Sequence, residues 1–234
     1  MTKSKTAAKN ADEFERLNSK RGEQMKYLGK PAGMWALFAG SFEKHLTVEF
    51  DLTAEQAKDV AARAKKKYRE IIAKLPEFDK RDRFEMNIVN CAMLAAFILC
   101  MPQRPDIKTL TDYYAAAMMT PTMKAFCRAS GKKKFTPKDI EGMKATAKLR
   151  AGDRNPYSWN MDFFEYEDSS GYEARFTTCG ICTLMQVLGL YDLTPALCHL
   201  DYTMSDAGGA SDFVREYTLA SGGPYCDCGY HKKQ

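Results

Sequence analysis

Histidine is scarce in this chain of 234 residues, which has only His45, His199 and His231. With only three imidazoles available, a histidine-based triad or a histidine-rich metal site is not expected. Long apolar runs are also missing. The most apolar stretch, AMLAAFILCM at 92 to 101, is about half the ~20 residues a membrane-spanning helix requires, so it is expected to be a buried core helix. The opening segment MTKSKTAAKNADEFERLNSKRGEQ is polar and charged, with no apolar centre. It shows neither a secretory signal nor an anchor, and the expected location is the cytoplasm. Charge of one sign is not in large excess either: 35 Lys and Arg against 30 Asp and Glu leave +5. The basic stretches KKKYREIIAK and GKKK read as solvated faces, and no groove-reading motif supports a nucleic-acid partner. Internal repeats are absent.

A hydrophobic content of 45% is enough for a sizeable core. Residues 11 to 28 form a loose helical stripe interrupted by GKP, and Met34, Leu37, Phe38 and Phe42 then recur at helical spacing. Thr53 and Gln56 have the spacing of a capping box at the head of a charged helix. Another helix is expected over about 80 to 100, closed by Pro102 and Pro105. Thr120-Pro121, Thr136-Pro137 and Thr194-Pro195 each offer a hydroxyl cap followed by proline in the first turn. After residue 156 the period shortens to two in WNMDFFEY and YEARFTT, which flank the turn DSSG, and again in FVREYTL and YCDCGYH around ASGGP. The expected fold is α+β. A helical region over 1–156 leads into a motif-bearing region over 157–234, where two cysteine-bearing helices cover a small antiparallel sheet, the whole packed as one unit.

Eight cysteines are too few for a disulfide scaffold, and a reducing compartment keeps them as thiols or thiolates. Cys91, Cys100 and Cys127 stand alone in apolar helices and read as small buried hydrophobes. The others cluster. Cys179 and Cys182 share a helical face, as do Cys198 and Asp201. Cys226 and Cys228 project from one side of a strand, with Asp227 on the other. Three readings of this cluster stay open: buried packing; a metal site of Cys179, Cys182, Cys198 and Cys226 for a divalent ion such as Zn²⁺ or Mn²⁺; or nucleophilic chemistry, for which Cys179 at a helix N-terminus is the best-placed thiol. His199 adjoins Cys198 but diverges from it by roughly 100° around the helix, so the two cannot pair. Arg215 could grip an anion with two prongs or lie paired across the sheet.

The order TTCGICTLMQVLGL, DLTPALCHLDY, REYTLASGGPYCDC resembles the C-terminal region of the L-2-amino-thiazoline-4-carboxylic acid hydrolase family over about residues 158 to 230. Three positions depart from the family pattern: Thr178 replaces a glutamate, Asp192 replaces a glutamate, and Cys228 replaces the phenylalanine of C-D-F. The resemblance implies opening of a cyclic isothiourea by water at C2 to give N-carbamoyl-L-cysteine. It implies Asp201 as general base, Cys179 or Cys198 as nucleophile or acid, and Arg215 with Tyr202 as substrate-binding residues. The implied partner is a small-molecule carboxylate, with no nucleic acid and no membrane. The late hairpin is also similar to 4-vinyl reductase-type ligand-binding domains, which would make the cysteines the lining of a non-catalytic ligand or metal pocket.

Overall fold

The computed structural model describes residues 31–79 and 81–234. The helical stripe expected over residues 11 to 28 lies outside them. In α1 (Pro31–Glu49), Met34, Phe38, Phe42 and Leu46 fall four apart and are buried on one face, whereas Leu37 points to solvent. In α2 (Ala54–Ile72) the Thr53–Gln56 capping box is present: Gln56 N donates to Thr53 Oγ1 at 3.2 Å and Thr53 N donates to Gln56 Oε1 at 2.8 Å. The central helix α3 (Glu85–Cys100) is buried on nearly every side, as its apolar sequence demands. α4 (Ile107–Met118), α5 (Pro121–Gly131) and α6 (Pro137–Arg150) follow, and the hydroxyls of Thr120 and Thr136 cap the last two as expected.

Among the described residues, strands occur only after this helical region. β1 (Met161–Glu165), β2 (Gly171–Phe176), β3 (Ser211–Val214) and β4 (Cys226–Lys232) form one antiparallel sheet in the order β1-β2-β4-β3. The fold is α+β. Between β2 and β3 lie α7 (Gly180–Val187), α8 (Thr194–Cys198) and α9 (Leu200–Gly208). α9 packs on β3 and α6 on β1, while the helix that carries Cys182, α7, seats mainly on α3. The single helix expected after Thr194 is broken at His199. Thr194 does not cap it, because a 3-10 turn over Tyr191–Leu193 runs straight into the helix and leaves the buried Thr194 hydroxyl inside. One hydrophobic core joins the helical region to α7 and α8, from Met34 through Leu94 to Leu197.

Two features fix the frame around the site. Arg150 is buried and ties the approach to β1: its Nη1 lies 3.1 Å from Asp82 Oδ2 and 2.9 Å from Asp153 Oδ2, and its Nε donates to Trp159 O at 3.0 Å. Such a pair is costly to break because it leaves an uncompensated buried charge. Gly131 on α5 and Gly208 on α9 cross backbone to backbone, and a Cβ on Gly131 would fall 2.2 Å from Gly208 O.

Candidate functional site

A cavity of about 500 Å³ opens between α3, α4, the start of α7, the α8–α9 joint and β4. Cys179, Cys198, Cys226 and Cys228 line it with Asp201 and Arg215. The alternation of β4 turns both of its cysteines inward, opposite Phe176 and Ala174 on β2. Asp227 faces the other way and accepts from Glu216 N at 2.8 Å and Tyr217 N at 2.6 Å. It thereby folds the loop after Arg215 back onto β4. β3 ends at Val214, earlier than the FVREYTL pattern suggested. Arg215 therefore leaves the ladder and turns into the cavity.

Cys179 is the N-cap of α7. Gly180 allows this placement, since a Cβ there would lie 2.1 Å from the carbonyl oxygen of Tyr157. The Cys182 thiol turns toward the Cys179 sulfur and is the main influence lowering its pKa; burial opposes it, and the backbone N–H groups of Cys182 and Ile181 and the Trp159 indole reinforce it. Cys182 is correspondingly pushed up and stays a neutral donor behind Cys179, outside the cavity wall. Burial, then the neighbouring Cys179 sulfur, pushes the Cys198 thiol up; burial, then Asp201, pushes Cys228 up to about 12. The wall thus combines one thiolate-prone sulfur with neutral thiols.

Arg215 is engaged through both terminal nitrogens, while its buried Nε has no hydrogen-bond partner. Its Nη1 donates to Cys198 O at 2.9 Å, and its Nη2 donates to Asp201 Oδ2 at 2.6 Å and to Cys228 Sγ at 2.8 Å. Burial works against its charge, but Asp201 and Cys228 outweigh burial and raise its pKa. Arg215 was expected to hold a substrate carboxylate; in this structure its prongs grip Asp201 and the α8 carbonyl at the cavity wall. Tyr202 was also expected among the substrate-binding residues. It stacks on His199 at 5.1 Å and meets Phe213 edge-on at 4.7 Å, away from the cavity wall.

Among the described residues no group of three or more His, Cys, Asp or Glu is arranged to hold a metal ion. Of the expected donor set, Cys179, Cys198 and Cys226 line the cavity, whereas Cys182 lies outside its wall.

Several wall residues escaped the sequence reading. Cys91, expected to be an isolated core thiol, reaches the cavity beside Asn90 and Tyr114, where the Tyr114 hydroxyl donates to Asn90 Oδ1 and Asn90 Nδ2 approaches Met118 Sδ at 3.1 Å. An asparagine within the apolar run of α3 was the available signal, because buried amides are kept only with partners. A second lobe of about 310 Å³ adjoins the first and shares Arg83, Phe84, Phe126, Phe176, Asp201 and Tyr230 with it. Lys134, expected on a solvated face, lines this lobe with its Nζ 3.2 Å from the centre of the Tyr230 ring.

Comparison with curated proteins and with solved structures gave no match. A family model does match, over residues 81–230, so the similarity extends beyond the late motifs into the helical region. That span takes in α3 with Asn90 and Cys91 as well as every cysteine of the cluster, and on it the chain belongs to the L-2-amino-thiazoline-4-carboxylic acid hydrolase family.

Proposed function

We propose that the protein is a hydrolase that opens a small cyclic amidine or isothiourea bearing a carboxylate, of the kind of L-2-amino-thiazoline-4-carboxylate, to the N-carbamoyl product. The observation that carries this reading is Cys179: a thiolate-stabilised sulfur at the head of α7, facing a cavity that also holds Asp201. The family membership supports it.

In this reading the Cys179 thiolate attacks C2 of the protonated ring. The ring C–S bond breaks, its electron pair leaves on sulfur, and that sulfur takes a proton from solvent. In this reading the Cys198 thiol, whose pKa is raised by burial, hydrogen-bonds the departing sulfur from the cavity wall. A water then adds to the same carbon and gives a proton to Asp201, whose Oδ2 is held by Arg215 while its Oδ1 has no hydrogen-bond partner among the described residues. Collapse expels Cys179 as thiolate and leaves a urea, and the hydroxyl proton and the proton held by Asp201 both return to solvent. One water is consumed overall.

The test is mass-spectrometric screening of thiazoline, imidazoline and hydantoin carboxylates, with N-carbamoyl-L-cysteine as the product expected from the first. Cys179→Ser should lower turnover by about a hundredfold or more. If no ring is consumed while one of them raises the melting temperature with its concentration, the hydrolase reading fails and the cavity is a non-catalytic ligand pocket.

A further inference from the structure

We propose that the smaller lobe is an anion subsite in which Lys134 and Arg83 take the carboxylate of the ring substrate. The inference rests on the hydrolase reading for its choice of anion. The engaged state of Arg215 leaves a ring carboxylate without a cation on the thiol side of the cavity, and the free positive charge lies in the adjoining lobe.

Lys134 follows α5, whose close crossing with α9 at Gly131 and Gly208 brings the two elements together beside Asp201. Its ammonium lies over the Tyr230 ring and 5.5 Å from the centre of the Tyr172 ring. Among the described residues it makes no ion pair. Asp139 faces the same lobe, where its Oδ2 accepts from Phe135 N at 2.9 Å and from the Tyr172 hydroxyl at 3.1 Å. Asp201 gives its Oδ2 to Arg215 and leaves Oδ1 open. Arg83 borders both lobes, and its Nη1 reaches only Thr146 Oγ1 at 3.3 Å and Met143 Sδ at 3.8 Å.

Two cations without a carboxylate partner therefore flank one recess, where low polarity strengthens any charge pair formed on ligand binding. Burial has already pushed the Lys134 pKa down to about 8, as expected of an ammonium that lacks a close counter-ion. Tyr230 and Phe176 border both lobes, so the subsite opens onto the cavity that Cys179 lines.

The experiment is calorimetric titration of L-2-amino-thiazoline-4-carboxylate and the corresponding imidazoline and hydantoin carboxylates, each against its carboxamide. At least one carboxylate should bind about tenfold or more tightly than its amide at pH 7. Lys134→Gln and Arg83→Gln should each reduce that preference to about threefold or less, and Lys134→Arg should keep part of it. Arg83 is exposed, so Arg83→Gln remains informative even if Lys134→Gln does not fold. The subsite is overturned if no carboxylate is preferred, or if the preference survives both glutamine variants. Turnover followed in parallel separates the two proposals. A carboxylate preference without product sinks the hydrolase reading alone; product with a preference indifferent to Lys134 and Arg83 sinks the subsite alone.

Discussion

Arg215 and Asp201 meet at 2.6 Å, with the guanidinium 6% and the carboxylate 45% exposed, so the pair joins the end of β3 to α9 while Asp201 keeps one side open to the cavity. The same guanidinium nitrogen reaches Cys228 at 2.8 Å, which adds a polar contact to Arg215.

Arg215→Lys tests whether this residue orients Asp201 or binds substrate. Lysine cannot reproduce the planar fork that spans Cys198 O and Asp201 Oδ2. If Arg215 is a positioning residue, kcat for the best ring substrate should fall about tenfold or more with little change in KM. A raised KM at unchanged kcat would restore the carboxylate-clamp role.

Cys179 should be the first cysteine alkylated by iodoacetamide, as read by peptide mass mapping. Its pKa is lowered by the Cys182 thiol and the α7 N–H groups, whereas those of Cys198, Cys226 and Cys228 are raised by burial. The alkylation rate should therefore rise with pH and level off below the ordinary thiol range of about 8.5. The same sign governs stability: the thiolate's contribution is present above the unfolded thiol pKa and is lost as pH falls through the folded one. Prior reaction of Cys198 or Cys228, or a plateau only above the ordinary range, would remove the thiolate assignment.

Gly180→Ala should damage the site and the fold together. The added Cβ would press on the Tyr157 carbonyl carbon at 2.4 Å as well as on its oxygen, so α7 must shift and carry Cys179 with it. A cost of about 3 kcal/mol is expected from such overpacking, measured by urea unfolding, along with loss of selective Cys179 alkylation. An alanine variant of unchanged stability and reactivity would mean that the close approach to Tyr157 is not what places the sulfur.

Much of this was legible in the sequence because local signals and burial agree. The threonine caps at Thr53, Thr120 and Thr136 and the two-residue period of β4 act over a few residues, and such signals survive tertiary packing. The shared-face argument expected Cys179, Cys182, Cys198 and Cys226 together; Cys179, Cys198 and Cys226 line one cavity, and Cys182 lies outside its wall. The place of Lys134 could not be argued in this way, because a lysine in GKKK reads as solvated and only the approach of Tyr230 from β4, far along the chain, makes a recess around it. Nor could the commitment of Arg215 to Asp201, which follows from where β3 stops rather than from any spacing. Thr194 shows a local signal overridden: its hydroxyl has capping chemistry, but the preceding 3-10 turn leaves no unpaired helix start to cap.

The charge state of Lys134 gives the last prediction. Burial lowers its pKa from 10.5 to about 8, with Asp139, Cys228 and Asp201 pulling the other way. Arg83, Tyr172 and Tyr230 also line its lobe, and Lys232 approaches the neighbouring Phe135 ring. An unfolded chain keeps the lysine proton up to about 10.4, so between pH 8 and that value the unfolded state binds more protons and stability should rise with pH from this group. Carboxylate affinity should move oppositely, weakening as pH rises above about 8, because only the ammonium attracts the anion; bound ligand itself shifts the onset upward by favouring the charged form. Melting temperatures and calorimetric titrations over pH 7 to 10.5, wild type against Lys134→Gln, check both. The rise in stability and the fall in affinity should both be absent from the variant. If the variant keeps both slopes, a group other than Lys134 is titrating and the lobe's positive charge has been misassigned.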